Sequence, residues 1–360
     1  MSAEFLQRRR ALLAQMANSR LTSLLVMNPK HWYYLTGFTG ESGAMVISRH
    51  GTALITDGRF LEQARQETSR VRIVPQNGNL LSSIGGFLRG QHRGRVGFGA
   101  SQLSVAQFRM LRKAAGPLVR WIGADGQVEG LRAKKTVAEI SQMRKAAQLA
   151  GEVLEAALKL LKPGVREFEI GAEIDYQMRR RGASGPAFET IVAFGERSAY
   201  PHARPTAKRL KKNELVVLDL GAILAHYCSD ITRTVFVGRA SGRVRNWYRA
   251  VQDAQEAARM AVKAGVRAGD VDAAARNILA ARKLDQYFAH STGHGLGLEV
   301  HEEPRLARGQ KQLLAAGNVV TIEPGVYVPG IGGIRIEDDI VVHENRTEVL
   351  TRVTRDFIEI

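Results

Sequence analysis

Five short blocks in this 360-residue chain carry residue types that suit metal chemistry. In order they are Leu218-Asp219-Leu220-Gly221, Cys228-Ser229-Asp230-Ile231-Thr232-Arg233-Thr234, His290-x-x-x-His294-Gly-x-Gly-x-x-x-His301, Thr321-Ile322-Glu323-Pro324-Gly325 and Ile334-Arg335-Ile336-Glu337-Asp338-Asp339. Four of them place a carboxylate where a strand should bury apolar side chains. A buried carboxylate is costly unless something positive lies beside it. No matching set of buried arginines is evident, so divalent metal is the simplest account.

Asp219 ends the apolar run from Leu215, and Asp230 begins a second run that reaches Val237. A hairpin through Gly221 would bring the two acids together, with Cβ atoms on the order of 5 Å apart if directly opposed. Facing carboxylates repel, and a bridging cation reverses that sign. The alternative is two strand-end acids solvated at a sheet edge. His294 lies among three glycines, which argue against a helix and let the backbone approach a neighbour closely. Three of the nine histidines, His290, His294 and His301, fall in this one stretch. A single histidine is commonly a structural hydrogen-bonder, but a cluster beside four strand-borne acids favours ligation.

Glu323 follows an apolar strand and precedes a Pro-Gly turn. Strand alternation puts Arg335 and Glu337 on one face, so Arg335 is expected to orient Glu337. Asp338 and Asp339 are expected to be turn or surface acids. The set Asp219, Asp230, His294, Glu323 and Glu337 is oxygen-rich with one imidazole. Such hard donors favour two Mn²⁺ ions, with Zn²⁺, Co²⁺ or Fe²⁺ admissible, and argue against a thiolate-bound structural zinc.

The elements that must position these residues fall into an α+β pattern. Residues 1–125 read as a separate α/β unit. Its helices are at 5–16, 59–68, 81–88 and 104–115, and its strands at 21–27, 43–48, 52–56, 71–75 and 95–98. A polar, glycine-bearing linker covers 126–135. The catalytic part, 136–360, opens with the capping box Thr136-x-x-Glu139, followed by Ile140, Met143, Ala147, Ala150 and Leu154 at helical spacing. Further helices are predicted near 167–181, 245–264 and 271–281. Strands are predicted at 190–193, 215–219, 230–237, 319–322 and 333–342. Antiparallel strands with helices in blocks imply a sheet covered by helices.

The formal net charge is +17. A charge that large raises the question of a nucleic-acid partner. The basic runs are scattered and carry no interleaved aromatics, so nucleic acid is not expected as a partner. With Cys228 alone there is no internal disulfide, and a buried strand position is expected for it. A reducing compartment, the cytoplasm, fits. No apolar run resembles a signal peptide or a membrane helix.

Residues 136–345 resemble the pita-bread metallopeptidases: methionine aminopeptidase, aminopeptidase P, prolidase and the metal-free creatinase. All five ligand blocks occur in the family order. The segments Tyr34-Leu-Thr-Gly-Phe38 and Ala53-Leu-Ile-Thr-Asp-Gly-Arg59 are similar to the creatinase/prolidase N-terminal domain, which methionine aminopeptidases lack. The resemblance implies a dinuclear-metal exopeptidase acting on bonds before proline. Asp219 would bind one metal, Asp230 and Glu337 would bridge, and His294 and Glu323 would bind the other. Glu323, His301 and His202 would be catalytic, with Glu323 shuttling the proton. His202, His290, His301, Tyr327 and Arg335 would contact substrate. The family usually follows the histidine at the position of His202 with glycine or a similar small residue; here Ala203-Arg204-Pro205 follow beside that pocket.

The leading expectation is an Xaa-Pro aminopeptidase, acting on peptides with proline second. The alternative is an Xaa-Pro dipeptidase (prolidase). A non-catalytic pita-bread protein that binds nucleic acid is a distant third, because such relatives lose ligands that are all present here. A creatinase-like hydrolase would leave the carboxylates unexplained. The resemblance also implies a homodimer. His31-Trp32-Tyr33-Tyr34 would supply either that contact or part of a core.

Overall fold

The computed structural model describes residues 2–91 and 94–360. Two compact units divide the chain, Met1–Arg132 and Ala133–Ile360.

In the first unit, β1 (Ser23–Val26), β2 (Ala44–Ser48), β3 (Gly51–Thr56), β4 (Arg72–Pro75), β5 (Gly94–Phe98) and β6 (Val119–Gly123) form one sheet in the order β4-β3-β2-β1-β5-β6. The β1–β2 and β2–β3 pairs are antiparallel, and the other pairs are parallel. Helices α1 (Ser2–Asn18), α2 (Pro29–Thr36), α3 (Leu61–Glu67), α4 (Leu80–Gln91), α5 (Val105–Ala115) and α6 (Glu129–Arg132) complete it. Strand β6 and helices α2 and α6 are absent from the sequence reading. Helix α2 starts on Asn28, whose side chain accepts from the Lys30 amide, with Pro29 in the first turn. Its His31, Trp32 and Tyr34 are buried, with Trp32 Nε1 donating to Gly40 O at 3.0 Å and Tyr34 Oη to Leu131 O at 3.2 Å. Of the two roles open to these aromatics, the core one is realised.

The second unit starts with α7 (Val137–Leu158), and the Thr136/Glu139 capping box forms as expected. Next come α8 (Glu167–Arg180), β7 (Gly185–Pro186), β8 (Ile191–Phe194), β9 (Glu214–Leu220), β10 (Ala222–Leu224), β11 (Tyr227–Cys228) and β12 (Ile231–Val237). The chain continues through α9 (Gly242–Ala261), α10 (Ala268–Ala281), β13 (Gly293–Gly295), β14 (Glu302–Leu306), β15 (Val319–Ile322), β16 (Gly325–Val328), β17 (Gly332–Arg335), β18 (Asp338–Val342) and β19 (Thr347–Val349). Two sheets matter for function, β12-β9-β8 and β14-β13-β15-β18-β19.

Each sheet turns one face to a helix pair. Val216, Leu218 and Leu220 of β9 and Ile231, Val235 and Val237 of β12 share a core with α7 and α8. Val320, Ile322, Ile336, Ile340 and Val342 share a core with α9 and α10. Strand alternation then sends Asp219, Asp230, Thr232, Thr321, Glu337 and Asp339 to the faces without helices. Two apolar faces therefore leave two polar ones, and the carboxylates collect there.

Candidate active site

The β9–β12 register pairs Asp219 with Thr232 and Leu220 with Ile231. Asp230 lies one position before β12, diagonal to Asp219 rather than opposite it. The direct hairpin through Gly221 does not form, because β10 and β11 are inserted between the strands and pair with each other. Cys228 is buried in β11.

His294 is held by its two glycine neighbours. A Cβ at Gly293 would strike the Thr321 carbonyl oxygen, and one at Gly295 the Glu303 carbonyl oxygen. The β13–β14 register shifts between these glycines, as a bulge does when it re-aims a side chain. The His294 amide donates to Thr321 Oγ1 at 3.1 Å, and its ring Nδ1 lies 3.0 Å from Gly295 O. A carbonyl only accepts, so Nδ1 carries the proton and Nε2 carries a lone pair. That lone pair points at carboxylates: Nε2 is 3.4 Å from Glu323 Oε1 and 3.8 Å from Asp230 Oδ2.

Glu337 is fixed from β12. Thr232 Oγ1 donates to Glu337 Oε2 at 2.6 Å, and the Glu337 amide donates to Thr232 O at 3.1 Å. Among the described residues, Asp230, His294 and Glu337 bring one ligand-type atom each within 4.8 Å of one another. The contacts are between groups that repel. Burial, then the carboxylates of Glu337 and Asp219, push Asp230 well above the usual carboxylate range. Burial, then Glu323 and Asp219, do the same to Glu337. Burial raises Glu323 to about 8 despite the opposing pull of Arg335. Burial, then His301, lowers His294 to about 4, so its ring is neutral at neutral pH. Asp219 Oδ1 and Asp230 Oδ1 are buried without a hydrogen-bond partner. Orphaned carboxylate oxygens around an imidazole lone pair are what a divalent cation satisfies, so these residues fit metal.

The structure departs from the sequence reading at one arginine, two acids and one strand. Arg335 is buried, and its Nη2 contacts Asp219 Oδ2 at 2.5 Å rather than Glu337. Its Nε donates to Thr232 Oγ1 at 3.1 Å, and its Nη1 to Tyr327 Oη at 2.6 Å. Asp338 and Asp339 are not turn or surface acids; both are 1% exposed. Asp338 Oδ1 pairs with Arg233 at 2.8 Å, and its Oδ2 accepts from Gln255 at 2.8 Å. Asp339 Oδ2 accepts from the Asp230 amide at 3.0 Å. The strand expected over 333–342 is two strands, and Glu337 stands at the break between β17 and β18.

The remaining histidines line the same place. His290 Nδ1 is 2.8 Å from Ser291 O, so it donates; Nε2 therefore accepts from Tyr327 Oη, 2.8 Å away. Burial, then Arg335, lowers His290 to about 4, and burial raises Tyr327 to about 12. The His301 ring stacks edge-on against His294, with centroids 4.3 Å apart. His202 is exposed and acts electrostatically on both His290 and His301. Thr232, which joins Glu337 to Arg335, was not singled out from the sequence. Its place opposite Asp219 on the polar face is the signal that would have found it.

Two antiparallel sheets backed by helix pairs, with an acid-and-histidine cluster between them, define a metal-dependent hydrolase. Family comparison agrees. Residues 141–344 match the family described as metallopeptidase family M24, and residues 8–134 match the creatinase/prolidase N-terminal domain. The chain belongs to the M24 metallopeptidases of the pita-bread fold; it is a metallo-exopeptidase that uses divalent metal ions. It is similar over its whole length to several solved proteins. A structure described as Xaa-Pro dipeptidase from Bacillus anthracis superposes with a TM-score of 0.95 at 36% identity, covering 99% of this chain and 100% of that one. The X-Pro aminopeptidase of Thermotoga maritima gives 0.88 at 34%, covering 98% and 100%. The Xaa-Pro dipeptidase of Pyrococcus furiosus is 34% identical over 98% of this chain and 99% of that protein. Among the described residues no helix is long and apolar enough to cross a membrane.

Proposed function

We propose that this protein hydrolyses Xaa-Pro bonds and that Xaa-Pro dipeptides are its preferred substrates. This reverses the order expected from the sequence, where the aminopeptidase came first. The names of the Bacillus anthracis and Pyrococcus furiosus relatives support the change. The aminopeptidase reading keeps the support of the Thermotoga maritima structure.

The observation that carries the reading is the His294 Nε2 lone pair directed at Asp230 and Glu323, with Glu337 in the same cluster. Asp219, Asp230, His294, Glu323 and Glu337 would hold two metal ions, with Mn²⁺ favoured by the oxygen-rich set. Bound there, such ions supply Lewis acidity and make water nucleophilic at neutral pH.

The chain's own residues do the rest. Glu323, within reach of both His294 and His290, passes a proton to the departing proline nitrogen. His301, edge-on to His294 and exposed to the cleft, donates to the developing oxyanion. His202, which acts electrostatically on His290 and His301, and His290 itself orient the peptide, with Tyr327 hydrogen-bonded to His290. Arg335 acts through Asp219 and Tyr327, since its guanidinium is buried against them. The homodimer, on the family resemblance, and a cytoplasmic location, on the single cysteine, belong to the same proposal.

The test is turnover by manganese-loaded protein on Xaa-Pro, Xaa-Pro-Pro and longer peptides. Dipeptides should be cleaved fastest, and Asp230→Ala should lose both bound metal and rate. Preference for longer peptides would restore the aminopeptidase reading. Full metal content and rate in Asp230→Ala would overturn the site.

A further inference from the structure

The segment from Phe288 to Thr292 carries His290 and supports Glu323, yet it belongs to no strand or helix. Two residues of α10 hold it. Asp272 is 1% exposed, and its Oδ1 accepts from both the Thr292 amide at 3.1 Å and Thr292 Oγ1 at 2.8 Å. Its Oδ2 pairs with Arg276 Nε at 2.7 Å, one helical turn on. The Arg276 fork then reaches back to the same segment. Nη2 donates to His290 O at 2.5 Å and Nη1 to Phe288 O at 3.2 Å, while the guanidinium lies 4.2 Å from the centre of the Phe288 ring. The Thr292 carbonyl in turn accepts the Glu323 amide at 2.8 Å.

We propose that Asp272 and Arg276 form a clamp on α10 that positions His290 and Glu323 for the reaction, without either touching substrate. The segment between α10 and β13 would otherwise have its carbonyls free to shift. A planar, bidentate donor fixes two of them at once, and a carboxylate fixes the amide and hydroxyl that follow. Because Asp272 is buried, Arg276 also supplies the opposite charge that a buried carboxylate needs beside it. The clamp rests on the proposed Xaa-Pro reaction only in the choice of substrate for its kinetic test.

Arg276→Lys keeps the positive charge beside Asp272 and loses the fork. Its kcat/KM on an Xaa-Pro dipeptide should fall on the order of 10²-fold, the loss expected for a reacting group displaced by about 1 Å. In a His290→Ala background the same change should cost well below its loss in the wild-type chain, keeping only the part that acts through Glu323. Losses that multiply, as for a purely structural defect, would overturn the clamp. If Arg276→Lys does not fold, Asp272→Asn is read in the same way, since it keeps the shape and the acceptor for Thr292. A second measurement needs no turnover. ¹⁵N-histidine spectra of the wild-type chain should show His290 as a single Nδ1–H tautomer, and Arg276→Lys should mix the two forms. An unchanged tautomer in Arg276→Lys would refute the clamp even if Xaa-Pro peptides prove not to be the substrate. Absence of wild-type turnover would refute the substrate alone.

Discussion

Arg335 Nη2 rests 2.5 Å from Asp219 Oδ2, across 116 positions of sequence, and both side chains are buried. Removing one partner of a buried pair strands the other charge, at about 3–5 kcal/mol. Arg335→Ala should therefore destabilise metal-free protein by about that amount. On the proposed site manganese should narrow the gap, since it would supply positive charge near Asp219. Denaturant melts with and without manganese check this; an equal deficit in both would show that Asp219 does not face the metal.

Asp338 offers the contrast. It pairs with Arg233, whose Nη1 also donates to Glu337 O, and the pair is buried at 3% and 1% side-chain exposure. Asp338→Ala should cost about 3–5 kcal/mol too. Here the deficit should be the same with and without manganese, because Asp338 lies on the helix-facing side with Gln255. A deficit that manganese repairs would make Asp338 part of the centre.

Thr232 donates to Glu337 and accepts from Arg335 through one hydroxyl. Thr232→Val keeps the shape and removes the bridge. It should cost about 1–3 kcal/mol for the groups left unpaired. Metal affinity should drop roughly 10–100-fold, as when a partner of a ligand is lost. Titration with manganese by calorimetry measures the second quantity, and wild-type affinity would remove Thr232 from any role at the site.

Gly293 leaves no room for a Cβ against the Thr321 carbonyl. Gly293→Ala should push β13 from β15, move His294 and cost about 1–3 kcal/mol. Bound metal should fall with it. Gly164, where a Cβ meets nothing but φ is +99°, is the control for strain alone; Gly164→Ala should lower stability and leave metal content at wild type.

Much of this was legible in one dimension. Apolar alternation at Val216, Leu218 and Leu220 fixes which face of β9 meets helices, and so which way Asp219 must point. The Thr136 capping box marks the start of α7, and the glycines around His294 announce a close backbone approach. Two expectations failed for one reason. Whether Asp338 and Asp339 lie in a turn or in a core depends on what packs over them, and those partners, Arg233 for Asp338 and the Asp230 amide for Asp339, are 105 and 109 positions away. The place of β10 and β11 between Asp219 and Asp230 likewise shifts the register to Thr232 opposite Asp219.

The sequence on its own pointed to the chemistry: residue types and alternation state which side chains are acids and which face they share, and the cost of burying them calls for positive charge beside them. Tertiary structure alone decided the partners. It put Arg335 on Asp219 and Tyr327, Thr232 between Arg335 and Glu337, and Asp272 with Arg276 behind His290. Periodicity is a property of one strand or helix. A hydrogen bond between two of them exists only once both have been packed, and the distances that decide it are set by the cores beneath.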